Sequence, residues 1–390
     1  MDPESLRAAT PAFETCCYLN TGASGPSPRP VVEATESFQR RFEYEQPCSE
    51  DVYSTAEDAL ASARERVAGL LGTSSDHIAL TQSTVAGINH VATAIDWDPE
   101  DVVVNTDLEH PAGELPWQRA ADLHDVEVRT MPTERGRLDL DDVKTAVRDA
   151  RLVCLSSVTW NYGTRLPVGE VVDIAHDAGA AVLVDAVQSP GQMPVDVEAW
   201  GADYVAASGH KWLLGPWGAG FLYVDEPQQV APRQIGYFSV ERPAGGGDDG
   251  AEDGEAGDGG TTDSSVNYSF RPTARRFELG TGAIAPYVGL ETAIETMEAV
   301  GLDQIESRIA RLAGRLKDGL GDRLLSPRDA RSGLVTFAAE NPVLLVERLA
   351  EEGIQIRWLR EPHACRASVH ALNTADDVDR LLTALESAQE

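Results

Sequence analysis

Apolar residues in this chain recur in two alternating patterns. Short continuous runs, His77-Ile-Ala-Leu, Val102-Val-Val-Asn, Val126-Glu-Val-Arg, Leu152-Val-Cys-Leu-Ser, Ala181-Val-Leu-Val-Asp, Tyr204 to Ser208 and Gly220-Phe-Leu-Tyr-Val, predict seven buried strands. Between them, stretches with helical spacing predict helices over Thr81 to Ile95, Pro116 to Leu123, Leu140 to Ala150 and Val168 to Ala178. Two helices precede the first strand, Val31 to Glu45 and Thr55 to Leu71, the second stopped by Gly72 as its C-cap. Alternating strands and helices argue for a mostly parallel α/β sheet, with ligand at the carboxyl ends of the strands. Downstream the pattern changes to one long helical region from about Pro286 to Leu320. It continues as strand Leu334 to Phe337, helix Val343 to Glu352, strands Ile354 to Arg357 and Ala367 to His370, and helix Ala375 to Leu385. That is a compact α+β unit.

Composition adds two things. Residues 244–265 collapse into Gly, Asp and Glu, which predicts a disordered, solvated loop. The chain carries 64 acidic against 32 basic residues, a formal charge of −32, spread along its length, and only three lysines. Nucleic acid and anionic membrane surfaces would repel such a body, so neither is expected as a partner. Acid excess with scarce lysine is the pattern of a protein adapted to a high-salt cytoplasm, where screening weakens self-repulsion. Five cysteines form no Cys-x-x-Cys pair and no metal-ligand spacing. The start, Met1-Asp-Pro-Glu-Ser, has no basic region followed by an apolar core, and no apolar run approaches the roughly 20 residues of a membrane span. The expectation is a cytoplasmic protein with reduced thiols.

Candidate chemistry centres on Lys211. Lys144 and Lys317 lie in helical stretches with charged neighbours, whereas Lys211 follows the apolar run Tyr204 to Ala207 and precedes the turn Trp212-Leu-Leu-Gly-Pro-Trp-Gly. Desolvation there would lower the proton affinity of its amine, as attack on an aldehyde requires. Asp185 ends another strand, and Ser83 and Thr84 lie at a strand-to-helix junction whose free N–H groups suit a phosphate. A lysine, a carboxylate and a phosphate cup are the three partners that pyridoxal phosphate needs.

Asp185-Ala-Val-Gln188, Ser208-Gly-His-Lys211 and Glu109-His-Pro-Ala-Gly-Glu-Leu-Pro-Trp117 together resemble the class V aminotransferase family of fold-type I pyridoxal-phosphate enzymes. The chain is most similar to the cysteine desulfurase and selenocysteine lyase branch, from Tyr18-Leu-Asn to Cys365-Arg-Ala-Ser. The resemblance implies a large domain with a mostly parallel seven-stranded sheet over residues 26–284. It also implies a smaller C-terminal α+β domain over 285–390 and an N-terminal segment, 1–25, packed on the small domain. By the same resemblance Lys211 joins the cofactor's aldehyde and moves protons at Cα, while Asp185 pairs with the pyridinium. Gln188 reaches the ring hydroxyl and His110 stacks on the ring. Ser83, Thr84, the Val85 backbone, Ser208 and His210 hold the phosphate, and Thr281 contacts it across the interface of a homodimer. Arg366, with Arg357 as a second candidate, grips the substrate carboxylate.

Two departures from the family pattern stand out. The segment Trp358-Leu-Arg-Glu-Pro-His-Ala-Cys is too short to carry the desulfurases' nucleophilic cysteine loop, and Cys365 matches a non-catalytic position. Where the family often has an asparagine near the substrate carboxylate this chain has Trp160, with Asn161 beside it. The reading is therefore an enzyme acting on a small amino acid, cleaving a carbon–sulfur bond without the usual catalytic cysteine. Transamination or epimerisation at Cα is the alternative within enzymes, and a non-catalytic cofactor-binding protein the alternative outside them.

Overall fold

The computed structural model describes residues 1–48, 51–241 and 268–387. The Gly/Asp-rich stretch 244–265, expected to be disordered, lies outside the described residues. The large sheet consists of β1 (Ile78–Thr81), β2 (Val102–Thr106), β3 (Glu127–Met131), β4 (Ala150–Ser156), β5 (Ala181–Asp185), β6 (Tyr204–Ser208) and β7 (Gly220–Val224). Their spatial order is β1-β7-β6-β5-β4-β2-β3. All neighbours are parallel except β7, which runs antiparallel to both β6 and β1. The continuous apolar runs are the strands buried on both faces: every residue of β2, β6 and β7 is buried. The edge strand β3 is half polar, because only one side of it has a neighbour.

The smaller C-terminal unit is built on β8 (Leu334–Phe337), β9 (Arg357–Leu359) and β10 (Ala364–Ser368), antiparallel in the order β8-β10-β9. Its core packs Leu312, Leu316, Val335, Phe337, Cys365, Val378 and Leu381. The N-terminal segment joins this unit: Cys17–Tyr18 pairs in parallel with Ile354–Gln355, and Asn20 bridges to Ser368.

Several local expectations differ from the structure, among them the strand over 367–370, which runs over Ala364–Ser368 instead. The long helical region is two helices, Ala285–Val300 and Leu302–Leu320, broken at Gly301, whose φ of +94° no helix contains. The helix from Leu140 ends at Ala146, and Asp149 at φ +61° turns the chain into β4. The strand over 354–357 is split, Ile354–Gln355 pairing with the N-terminal segment and Arg357–Leu359 with β10. Periodicity reports burial, but not which partner a strand finds. Lys317 differs too. Despite its charged neighbours it is 2% exposed, its ammonium donating to the Pro327 and Ala330 carbonyls.

Candidate active site

β4, β5 and β6 deliver their carboxyl ends to one side of the sheet, where the N-terminus of helix Thr84–Ala94 also points. A cavity of about 210 Å³ opens there, walled on its far side by Arg357 and Arg366 of the small domain. Asp185 is the last residue of β5, and Lys211 follows the end of β6, its strand neighbour, by three residues. Both side chains line the cavity, and no direct ion pair joins them. Burial pushes the Asp185 carboxyl up, against the Val187 N–H that it accepts at 3.0 Å and the charge of Lys211. Burial also holds the Lys211 amine down to about 8; Asp185 opposes that shift, while Arg366 and Arg357 reinforce it. Two desolvated groups of opposite sign thus face each other across a gap, each short of a partner.

One end of the cavity presents a helix start and three hydrogen-bonding side chains. Ser83 caps helix Thr84–Ala94 by accepting the Ala86 N–H at 3.1 Å, which leaves the N–H groups of Thr84 and Val85 without a protein acceptor among the described residues. Thr84 Oγ1 donates to Ser208 Oγ at 3.3 Å, and Ser208 Oγ lies 3.0 Å from His210 Nδ1. Gly25 fixes the lysine loop from behind. Its N–H donates to the His210 carbonyl at 2.7 Å, and a Cβ there would lie 2.0 Å from the Lys211 carbonyl oxygen.

The middle is flanked by His110 and Gln188. His110 faces the cavity with Nδ1 accepting the Ala112 N–H. Burial, then the charges of Lys211, Arg357 and Arg366, lower its proton affinity to about 4, so the ring is neutral at neutral pH. Its imidazole meets the Trp160 indole edge to face, centroids 5.2 Å apart at 86°. Gln188 is held at both ends, Nε2 donating to the Gly22 carbonyl at 3.1 Å and Oε1 accepting the Trp212 indole N–H at 2.7 Å.

At the far end Arg366 is 1% exposed and has no carboxylate partner among the described residues. Its Nη1 donates to the Trp160 carbonyl at 2.6 Å, while Nε and Nη2 are buried without acceptors. Arg357 stands opposite Arg366 in the register of β9 and β10, also lines the cavity, and has no ion-pair partner among the described residues. Arg366, buried without a counter-charge, calls for an anion from outside, and Arg357 stands beside it on the same face of the small sheet.

Two of the sequence candidates lie elsewhere. Asn161 is buried but does not line the cavity; its Oδ1 accepts the Tyr162 N–H, and Trp160 takes the cavity wall. Thr281 is on the exposed surface, its N–H donating to the Tyr237 hydroxyl at 2.8 Å. Sequence reasoning overlooked Glu109, although it begins the quoted motif. It is buried against the Thr106 hydroxyl and the N–H and hydroxyl of Ser156, and burial raises its carboxyl to about 7. Nor is any cysteine in the cavity lining among the described residues. Cys154 is fully buried in β4 with its thiol pushed well above the ordinary range, and Cys365 donates to the Pro342 carbonyl with its thiol raised to about 12.

These groups fit pyridoxal phosphate on the chemistry of the donor set. The orphan N–H groups at the helix start suit the phosphate, and Lys211 suits the aldehyde. The under-partnered Asp185 carboxylate suits the ring nitrogen, and His110 the ring face.

Comparison with known proteins agrees. The family profile described as Aminotransferase class-V matches residues 17–381. A probable cysteine desulfurase of Methanothermobacter thermautotrophicus is 32% identical, over 99% of this chain and 98% of its own. A probable cysteine desulfurase of Halobacterium salinarum is 30% identical, over 100% and 97%. Among solved structures, the apo cysteine desulfurase from Thermococcus onnurineus superposes with a TM-score of 0.88 at 28% identity, covering 100% of this chain and 98% of that one. The cystine C–S lyase C-DES, in complex with its reaction product cysteine persulfide, does so at 0.87 and 25%, covering 96% and 98%.

Proposed function

Because the chain belongs to the class-V aminotransferase family, we propose that it uses pyridoxal phosphate to break the Cβ–S bond of a small sulfur-containing amino acid by β-elimination. When bound, pyridoxal phosphate supplies an electron sink into which the Cα–H bond of an amino acid can ionise. The residues of this chain do the rest. Lys211, with its affinity already lowered to about 8, takes the α-proton and returns a proton where it is needed. Asp185 would keep positive charge at the ring nitrogen, and neutral His110 would cover the ring face without adding charge. Arg366 and Arg357 hold the substrate carboxylate, which orients the Cα–H bond.

The observation that carries elimination over persulfide-forming desulfuration is the position of Cys365. It is buried on the side of its strand away from the cavity, and no other cysteine among the described residues lines it. Removing sulfur as an enzyme persulfide leaves alanine and needs an enzyme thiol. Elimination needs none. From cystine, loss of the α-proton and of the Cβ–S bond releases cysteine persulfide, and hydrolysis of the remaining three-carbon fragment gives pyruvate and ammonia. The site is shared between two copies, the partner's Thr281 completing the phosphate cup. Exposure of Thr281 together with its apolar neighbours Tyr237 and Leu279, 48% and 40% exposed, supports that arrangement.

The test is a product assay on the purified protein with cystine, cysteine and selenocysteine, alongside Lys211→Ala. Expected are pyruvate and ammonia, and a visible chromophore that borohydride bleaches in the wild type and that Lys211→Ala lacks. Alanine with sulfide would overturn elimination, keto-acid exchange would point to transamination, and an unchanged chromophore in the variant would remove Lys211 from its role.

A further inference from the structure

We propose that Trp160 determines side-chain specificity, forming an aromatic wall that selects substrates carrying sulfur in an unbranched side chain. The inference rests on the amino-acid site proposed above and adds the residue that reads the substrate beyond Cα.

The loop that carries Trp160 is held rigid from both domains. The Thr159 N–H donates to the Thr164 carbonyl at 2.9 Å, and the Gly163 N–H to the Thr159 carbonyl at 2.9 Å. From the small domain, Ser332 Oγ donates to the Gly163 carbonyl at 2.6 Å and the Thr336 hydroxyl to the Asn161 carbonyl. Gly163 sits at φ +69°, and a Cβ there would lie 2.3 Å from the Leu334 carbonyl oxygen, so the turn cannot shift toward β8. Asn161 is turned onto its own backbone, and Trp160, with Val158 two residues before it, meets the cavity.

Trp160 then has two engagements that fix where its ring stands. Its carbonyl accepts Arg366 Nη1 at 2.6 Å, tying it to the group that holds the carboxylate. Its indole lies edge to face with His110, tying it to the cofactor's ring face. A substrate anchored at Arg366, with its Cα toward Lys211, would carry its side chain along this ring. Trp160 Nε1 has almost no accessible surface, so the face that the indole turns to the cavity is carbon and π surface. Such a surface favours a polarisable thioether or disulfide, leaves a charged side chain without a partner, and, being immobile, has no room to give for a β-branch.

Methionine and norleucine have side chains of equal length, sulfur replacing one methylene, and neither carries a leaving group at Cβ. Their dissociation constants from the holoenzyme, read from the change in its visible band, need no elimination to occur. Wild type is expected to bind methionine about two- to tenfold more tightly than norleucine, the span of a sulfur–aromatic contact. Trp160→Asn should bring that ratio to about one, and Trp160→Phe, which keeps an aromatic face, should preserve it. Trp160→Asn should also admit valine, which the wild type excludes. A ratio that Trp160→Asn leaves unchanged, or that Trp160→Phe loses equally, overturns the inference. An unaltered visible band and melting temperature in both variants show that the fold and cofactor site are intact. Failure of the elimination reading shows separately, as absence of pyruvate from cystine in the wild type.

Discussion

Cys365 and Arg366 are consecutive residues of β10 whose side chains lie on opposite faces of the small sheet. Arg366 points into the cavity, and Cys365 into the core with Val335, Phe337 and Leu349. The period of two along a strand makes the choice exclusive, so a residue flanking the cavity-facing arginine cannot also face the cavity. Slipping β10 by one residue would exchange them, but would put a guanidinium in the apolar core.

Cys365→Ala is therefore expected to keep its turnover of cystine within about twofold of the wild type and to lose on the order of 1 kcal/mol of stability from the small cavity left behind. Steady-state rates and urea unfolding measure the two separately. Loss of turnover with the visible chromophore retained would restore a catalytic thiol.

Arg366→Lys keeps the positive charge and removes the planar fork. If the carboxylate is held by paired, charge-assisted hydrogen bonds, kcat/KM should fall between about tenfold and a hundredfold, mainly through KM, as loss of about 1.5–3 kcal/mol implies. Arg357→Lys should cost less, since Arg357 is the more exposed of the pair. A larger loss at Arg357 would exchange their roles.

The lowered affinity of Lys211 carries a pH signature. Its folded value of about 8 lies below the 10.5 of a free lysine. Below about 8 both folded and unfolded chains hold the proton, and the folded state bears the burial cost. Between these values only the unfolded chain keeps it, so stability rises with pH across that window. Lys317, also held down to about 8 by burial, contributes in the same direction, so melting curves alone do not separate them. Cofactor capture does. The rate at which apoprotein develops the visible band should climb roughly tenfold per pH unit below about 8 and flatten above it, with Lys317→Met leaving the profile in place. A rate that keeps climbing about tenfold per pH unit through about pH 8 to 10 would show that the amine is not desolvated.

A body with a formal charge of −32 repels itself. The Debye length falls from about 10 Å at 0.1 M salt to about 3 Å at 1 M. The melting temperature should therefore rise with potassium chloride across that range, by about 1 °C for each kcal/mol of repulsion screened, the unfolding entropy of a chain this long being on the order of 0.8 kcal/mol/K. A melting temperature indifferent to salt would leave the acid excess without a role in stability.

Continuous apolar runs and their spacing determined that seven strands and their covering helices would form, because burial on both faces of a parallel sheet needs uninterrupted apolar sequence. The lone Lys211 after one such run, with Asp185 ending another, was legible for the same reason: a charged group at the end of a buried strand is costly to desolvate unless something binds it there. What depends on partners was not legible. Nothing local in Ile354 to Arg357 says that its first half pairs with Cys17–Tyr18 and its second with β10. Nothing in the composition around Lys317 says that two carbonyls await its ammonium. Whether Trp160 or Asn161 faces the cavity was likewise settled by strands more than a hundred residues away, through Ser332, Thr336 and Arg366. Side-chain direction at such points is set by which distant groups complete the hydrogen bonds, and that is a property of the folded chain alone.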